Sequence, residues 1–124
     1  MGRNIMSDHK TILLLEDEAI IAVDVEETLR TRPKVEVVAL DTCEEAMVWL
    51  ESNSPDLAVV DPMLRDGYCH AVAMELVSRS IPFIVHSGYG GGAADEQPIF
   101  EKGLWVPKPS QPDELLDVVG RLLG

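Results

Sequence analysis

Acidic side chains, a hydroxyl and a lysine stand where successive apolar runs end, and together they make a donor set suited to handling a phosphoryl group. Thr11 to Leu15 leads into Glu16, Asp17 and Glu18; Leu57 to Val60 leads into Asp61; Pro82 to His86 leads into Ser87 and Gly88; Leu104 to Pro107 leads into Lys108-Pro109. Carboxylates crowded together repel by about 1 kcal/mol per pair at 4 Å in water, and several-fold more at lower dielectric. A divalent cation would relieve that repulsion, and oxygen-only ligands suit magnesium better than zinc, which favours histidine and thiolate. Asp61 is the candidate nucleophile, since a carboxylate attacking phosphorus gives an acyl phosphate. The cation would neutralise Asp61 as an anionic donor approaches and would spread the charge of the group in flight. Lys108, the Ser87 hydroxyl and the amides near Met63 and Gly88 could donate to the phosphoryl oxygens.

These residues need elements that bring strand ends together. The runs Thr11–Glu16, Val35–Leu40, Leu57–Asp61, Pro82–Ser87 and Leu104–Pro107 are short and apolar, as strands buried on both faces are. Helical spacing separates them. Ile21, Val25 and Leu29 make one stripe closed by Pro33, and Thr42 with Glu45 forms a capping box ahead of Cys43, Ala46, Met47 and Leu50. Cys69, Val72, Ala73 and Leu76 share a third face, while Ser110 with Asp113 is expected to cap a last helix with Leu115, Val119 and Leu122 inward. The glycine run Gly88 to Gly92 and the weak periodicity up to Lys102 predict a fourth helix that is short or poorly ordered. Five alternating strands and helices predict an α/β domain, three layers deep and doubly wound around a five-stranded parallel sheet. In such sheets ligands bind beyond the carboxyl ends of the strands, where the polar residues lie.

The bulk properties narrow the function. A chain of 124 residues with 46% hydrophobic and 26% charged content suits one soluble domain over residues 11–124. The arm 1–10 is polar and unpatterned, and is expected to be vector-derived or the lead-in to a later start at Met6. A net charge of -12 repels nucleic-acid phosphates and anionic membrane surfaces, so neither is an expected partner. No apolar run approaches a membrane span, which makes the cytoplasm the expected location. Cys43 and Cys69 have no zinc or CxxC spacing and read as buried free thiols. His86 alternates away from Ser87 and reads as a packed histidine; His9 and His70 read as surface residues.

With Leu15-Glu16-Asp17, Val59-Val60-Asp61, Val85-His86-Ser87-Gly88 and Trp105-Val106-Pro107-Lys108-Pro109 in this order, the chain resembles the receiver domain of response regulators in two-component signalling. The resemblance runs from about Thr11 to the end and implies the flavodoxin-like strand order 2-1-3-4-5. It implies that Glu16, Asp17, Asp61 and the Met63 carbonyl hold Mg2+, that Ser87 is the switch hydroxyl beside Gly88, and that Lys108 binds the phosphoryl group. It also implies a cis peptide before Pro109 and a switch aromatic at Trp105. Pro82-Phe83 with Ser87-Gly88-Tyr89 is similar to a stand-alone subgroup, in which Tyr89 would share the switching. The loop Pro62 to Gly67 departs from the common pattern by its early glycine and by Arg65 where a proline is usual. Expected partners are a histidine kinase or histidine phosphotransfer protein and a downstream protein target. The chain would be a stoichiometric phosphoacceptor and not a turnover enzyme.

Each feature also has a plainer reading: one acidic pair alone is more often a solvated loop, and one serine an ordinary loop hydroxyl. Asp61 and Lys108 at their two strand ends reverse those odds. Two other functions compete. A pseudo-receiver would dock partners without accepting phosphate. An aspartate-nucleophile phosphatase would want an acid two residues after the nucleophile, where this chain has Met63. A flavin binder fits less well, because Glu16, Asp17 and Glu18 would face the flavin phosphate.

Overall fold

The computed structural model describes residues 9–88 and 98–123. In chain order these form β1 (Lys10–Leu15), α1 (Ala19–Arg30), β2 (Val35–Leu40), α2 (Cys43–Leu50), β3 (Leu57–Val60), β4 (Met63–Leu64), β5 (Gly67–Tyr68), α3 (His70–Ser78), β6 (Phe83–Ser87), a 3-10 helix (Pro98–Lys102), β7 (Leu104–Pro107) and α4 (Pro112–Leu123). The main sheet is parallel with order β2-β1-β3-β6-β7, the predicted doubly wound topology.

Alternation along each strand divides the core into two layers. Leu13, Leu15, Ala58, Val60, Phe83 and Val85 pack under α2, α3 and Phe100 of the 3-10 helix. Ile12, Leu14, Leu57, Val59, Ile84 and Val106 pack with Val25 and Leu29 of α1 and with Leu115 and Val119 of α4. Gly103 belongs to this packing: a β-carbon there would sit 2.6 Å from Phe83 Cε2, so only glycine lets the lead-in to β7 pass that ring.

Several expectations are corrected. Lys10 belongs to β1, opposite Val35, and not to the arm. The segment after Asp61 is not a plain loop: β4 and β5 pair antiparallel, turning at Gly67 with φ +116. Ser110 does not cap the last helix. Its hydroxyl lies 3.0 Å from His86 Nε2, while the Gln111 amide donates to Glu114 at the start of α4. Cys43 and Cys69 are not free thiols but joined in a disulfide. Thr42 does cap α2, accepting from the Glu45 amide at 3.1 Å. Most of the predicted fourth helix, and Tyr89, fall outside the described residues, and the 3-10 helix occupies the end of that stretch. No helix among the described residues is long and apolar enough to cross a membrane.

Candidate functional site

Register places the polar residues. Leu15 pairs with Val60, and Val60 with Val85, so Glu16 and Asp61 emerge together at one edge of the sheet. Backbone bonds carry the alignment one residue further: the Asp61 amide donates to Leu15 O at 3.0 Å, Glu16 to Leu40 O at 3.2 Å, and Lys108 to Ser87 O at 2.9 Å. Each strand therefore aims its terminal residue into the same place, because the ladder outlasts the apolar run.

The side chains meet there. Lys108 Nζ lies 2.8 Å from Asp61 Oδ2 and 2.7 Å from Glu16 Oε1. Glu16 Oε2 accepts the Glu18 amide at 3.1 Å, and Asp61 Oδ1 accepts the Met63 amide at 3.2 Å. One carboxylate oxygen from each of Glu16, Asp17 and Asp61 falls within 4.8 Å of the others. An open cavity of ≈ 410 Å³ lies over them, lined by Asp17, Glu18, Asp61, Met63, Leu64, Gly88 and Lys108.

Electrostatics follow from this crowding. Burial pushes the Asp61 carboxyl above its ordinary value, outweighing the downward pull of Lys108 and the Met63 amide. Burial draws Lys108 down, yet its bonds to Asp61 and Glu16 prevail and leave it raised. Three carboxylates against one ammonium leave excess negative charge, which a small divalent cation with oxygen ligands would offset. The donor set fits magnesium. His86, by contrast, is buried and lowered by that burial and by Lys108, and its ring is engaged by Ser110. It is a packed histidine, as expected.

A pH dependence arises here. A raised Asp61 means that the folded state keeps a proton the unfolded chain releases above the ordinary 3.8, so ionising Asp61 costs stability as pH rises through the folded value. Asp61→Asn removes that cost. Metal-free Asp61→Asn protein is expected to gain about 1 kcal/mol near neutral pH, with a flatter stability profile above pH 3.8, read by urea unfolding across pH. Equal or lower stability at pH 7 would contradict this.

Of the residues singled out in the sequence, Asp17, Asp61, Met63, Gly88 and Lys108 line the cavity and Glu16 lies buried beneath it. Ser87 is buried at the end of β6, and the Lys108–Pro109 peptide is cis. Trp105 packs, partly buried, against the α2–α3 core layer. Sequence reasoning missed Asp66. Its two carboxylate oxygens accept the Cys43 and Glu44 amides at 2.8 and 3.0 Å, tying the hairpin after Asp61 to the start of α2. Those bonds hold the Asp66 carboxyl below its ordinary value. Arg65 adds an ion pair with Asp41. An acid just before a turn glycine was the one available signal, and it reads equally as a turn residue.

No protein-family profile matches the chain, and no curated protein matches it. Solved structures do. The non-phosphorylated HemR receiver domain from Leptospira biflexa is 29% identical, with TM-score 0.78, over 93% of this chain and 94% of that one. The response regulator protein TrrA from Thermotoga maritima, solved in complex with Mg2+-BeF, is 25% identical, with TM-score 0.79, over 92% and 99%. The receiver domain of a sensor histidine kinase from Pseudomonas aeruginosa, solved with a magnesium ion coordinated in the active site cleft, is 21% identical, with TM-score 0.80, over 94% and 98%. The receiver-type fold expected from the strand-end residues is thus borne out.

Proposed function

We propose that this chain, with the receiver-type fold of response regulators, takes a phosphoryl group onto Asp61 and passes the signal to a protein partner. The observation that carries this reading is the meeting of Lys108, Glu16 and Asp17 at Asp61 beneath an open cavity. Neighbours solved with magnesium or Mg2+-BeF support it.

Asp61 is the nucleophile: an Oδ atom attacks phosphorus, the donor's leaving group departs, and an acyl phosphate forms. Lys108 would follow the charge from the carboxylate to the new phosphoryl oxygens. Ser87 and the Gly88 amide stand at the neighbouring strand end to donate to another oxygen. Glu16 already uses Oε1 on Lys108 and Oε2 on the Glu18 amide, which leaves Asp17, Asp61 and the Met63 carbonyl as direct ligands and Glu16 as an indirect one. Magnesium, when bound, supplies charge neutralisation for an anionic donor approaching three carboxylates. Trp105 is assigned as the reporting aromatic, with Tyr89 sharing that role. The phosphoryl source would be a histidine kinase or histidine phosphotransfer protein, in the cytoplasm. Met63, where a phosphatase would carry its second acid, makes the chain a stoichiometric acceptor and not a turnover enzyme.

The deciding experiment treats the protein with Mg2+ and a small acyl phosphate, then with a histidine kinase, and looks for a hydroxylamine-labile phosphoryl group on Asp61. Absence with both donors would establish the pseudo-receiver instead. Asp17→Asn is expected to weaken Mg2+ binding by about tenfold or more, read as a shifted titration of tryptophan fluorescence. Unchanged affinity would remove Asp17 from the metal site.

A further inference from the structure

The segment that carries Met63 is fastened to α2 by a covalent bond. Cys43, the first residue of α2, and Cys69, the N-cap of α3, are 26 residues apart in sequence, with Cα atoms 5.3 Å apart, inside the range that a disulfide spans. Between Asp61 and Cys69 lies the β4–β5 hairpin. The Cys69 amide donates to Pro62 O at 2.8 Å, so movement at Cys69 reaches the residue next to Asp61. The Cys43 sulfur is also 3.3 Å from the Gly67 carbonyl, where a reduced thiol could donate. One sulfur thus has a partner in either redox state, both on the hairpin side.

We propose that reversible formation of the Cys43–Cys69 disulfide is a redox control on the phosphoacceptor loop. This rests on the proposed role of Asp61. A thiol–disulfide oxidant of the glutathione-disulfide class supplies the oxidising equivalents. The half-buried Cys43 thiolate attacks a glutathione sulfur and expels one glutathione thiolate, and the buried Cys69 thiolate then attacks the Cys43 sulfur and expels the second. Two protein thiols lose two electrons and two protons, and one glutathione disulfide becomes two glutathiones. In a reducing compartment such pairs are more often regulatory than structural.

Oxidation holds the hairpin in register with α2, keeping the Met63 carbonyl and Asp61 on one cavity wall. Reduction leaves Asp66 and the weak thiol contact as the ties and loosens the wall. The expected effect is about a threefold weaker Mg2+ affinity on reduction, below the about 10- to 100-fold typical of losing a metal ligand's supporting partner, because Asp66 remains bound.

The test compares the full chain in dithiothreitol and after glutathione disulfide, with Cys43→Ser as a control at a half-exposed position. Mass spectrometry after alkylation counts free thiols, hydrogen exchange reads residues 61–69, and tryptophan fluorescence follows Mg2+ titration. Expected are two alkylated thiols in the reduced protein and none after oxidation. Slower exchange and tighter Mg2+ binding should appear only in the oxidised wild type. Thiols that stay free after oxidant, or identical exchange in both states, overturn the proposal; equal affinities overturn its regulatory step. Exchange is independent of phosphorylation, so a reduced protein whose Asp61 accepts no phosphoryl group counts against the proposed function alone.

Discussion

Asp61→Asn is expected to stop phosphoryl uptake, lowering the rate by roughly 1,000-fold or more, as removal of a nucleophile does elsewhere. The reason is chemical before it is structural. A carboxamide oxygen is a poor nucleophile and would leave an unstable imidate-type product, whereas the carboxylate forms an acyl phosphate. The position itself should survive, since the Asp61 amide still donates to Leu15 O and the side-chain oxygen can still accept the Met63 amide. Only one acceptor remains on the amide, so Lys108 keeps Glu16 and loses its second partner. Intact-mass measurement with a small acyl phosphate and Mg2+ should show one phosphoryl group on the wild type, removed by hydroxylamine, and none on the variant. Wild-type uptake by Asp61→Asn would move the acceptor to another residue. The same variant is expected to be more stable without metal, which separates lost chemistry from lost folding.

The strand ends were legible because buried strands write themselves as apolar runs, and a parallel sheet must gather the ends of those runs on one edge. That logic located Glu16, Asp17, Asp61, Ser87 and Lys108 before any geometry was known, and their positions around one cavity follow from the register of β1, β3, β6 and β7. Contacts between loops were not legible. Residues 62–68 have neither period, so the hairpin and the Asp66 cap on α2 were invisible. Ser110 was read as a cap because its spacing to Asp113 is right, but a buried His86 competes for the hydroxyl. The cysteines failed for a related reason: spacing carries no signal when two residues belong to different helices and meet only after the chain has folded.

Lys108→Ala is expected to lower the stability of metal-free protein by about 2–3 kcal/mol at neutral pH, and magnesium should restore much of that loss. Lys108 sits among largely buried carboxylates: the Glu16 side chain is only 2% exposed and the Asp61 side chain 16%. Removing the ammonium leaves both without the charge that opposes their burial. The open cavity over Asp61 lets water recover part of the cost, which keeps the expected value below that of a sealed pair. The pH dependence has a definite sign. Asp61 is raised even with Lys108 present, and the variant loses the two contributions from Lys108 that lower it, so the carboxyl rises further. The penalty should therefore shrink as pH falls and the carboxyls take up protons. At the alkaline end, wild-type stability from the raised Lys108 is present below the ordinary 10.5 and lost as pH rises through the folded value, so the two proteins should converge there. Urea unfolding at several pH values, with and without Mg2+, reads all of this. A loss independent of both pH and metal would assign Lys108 to packing by its aliphatic stem. If the loss follows the predicted pattern, phosphorylated Lys108→Ala protein should also lack the tryptophan fluorescence change of the wild type, because the cation that follows the charge from carboxylate to phosphoryl group is gone.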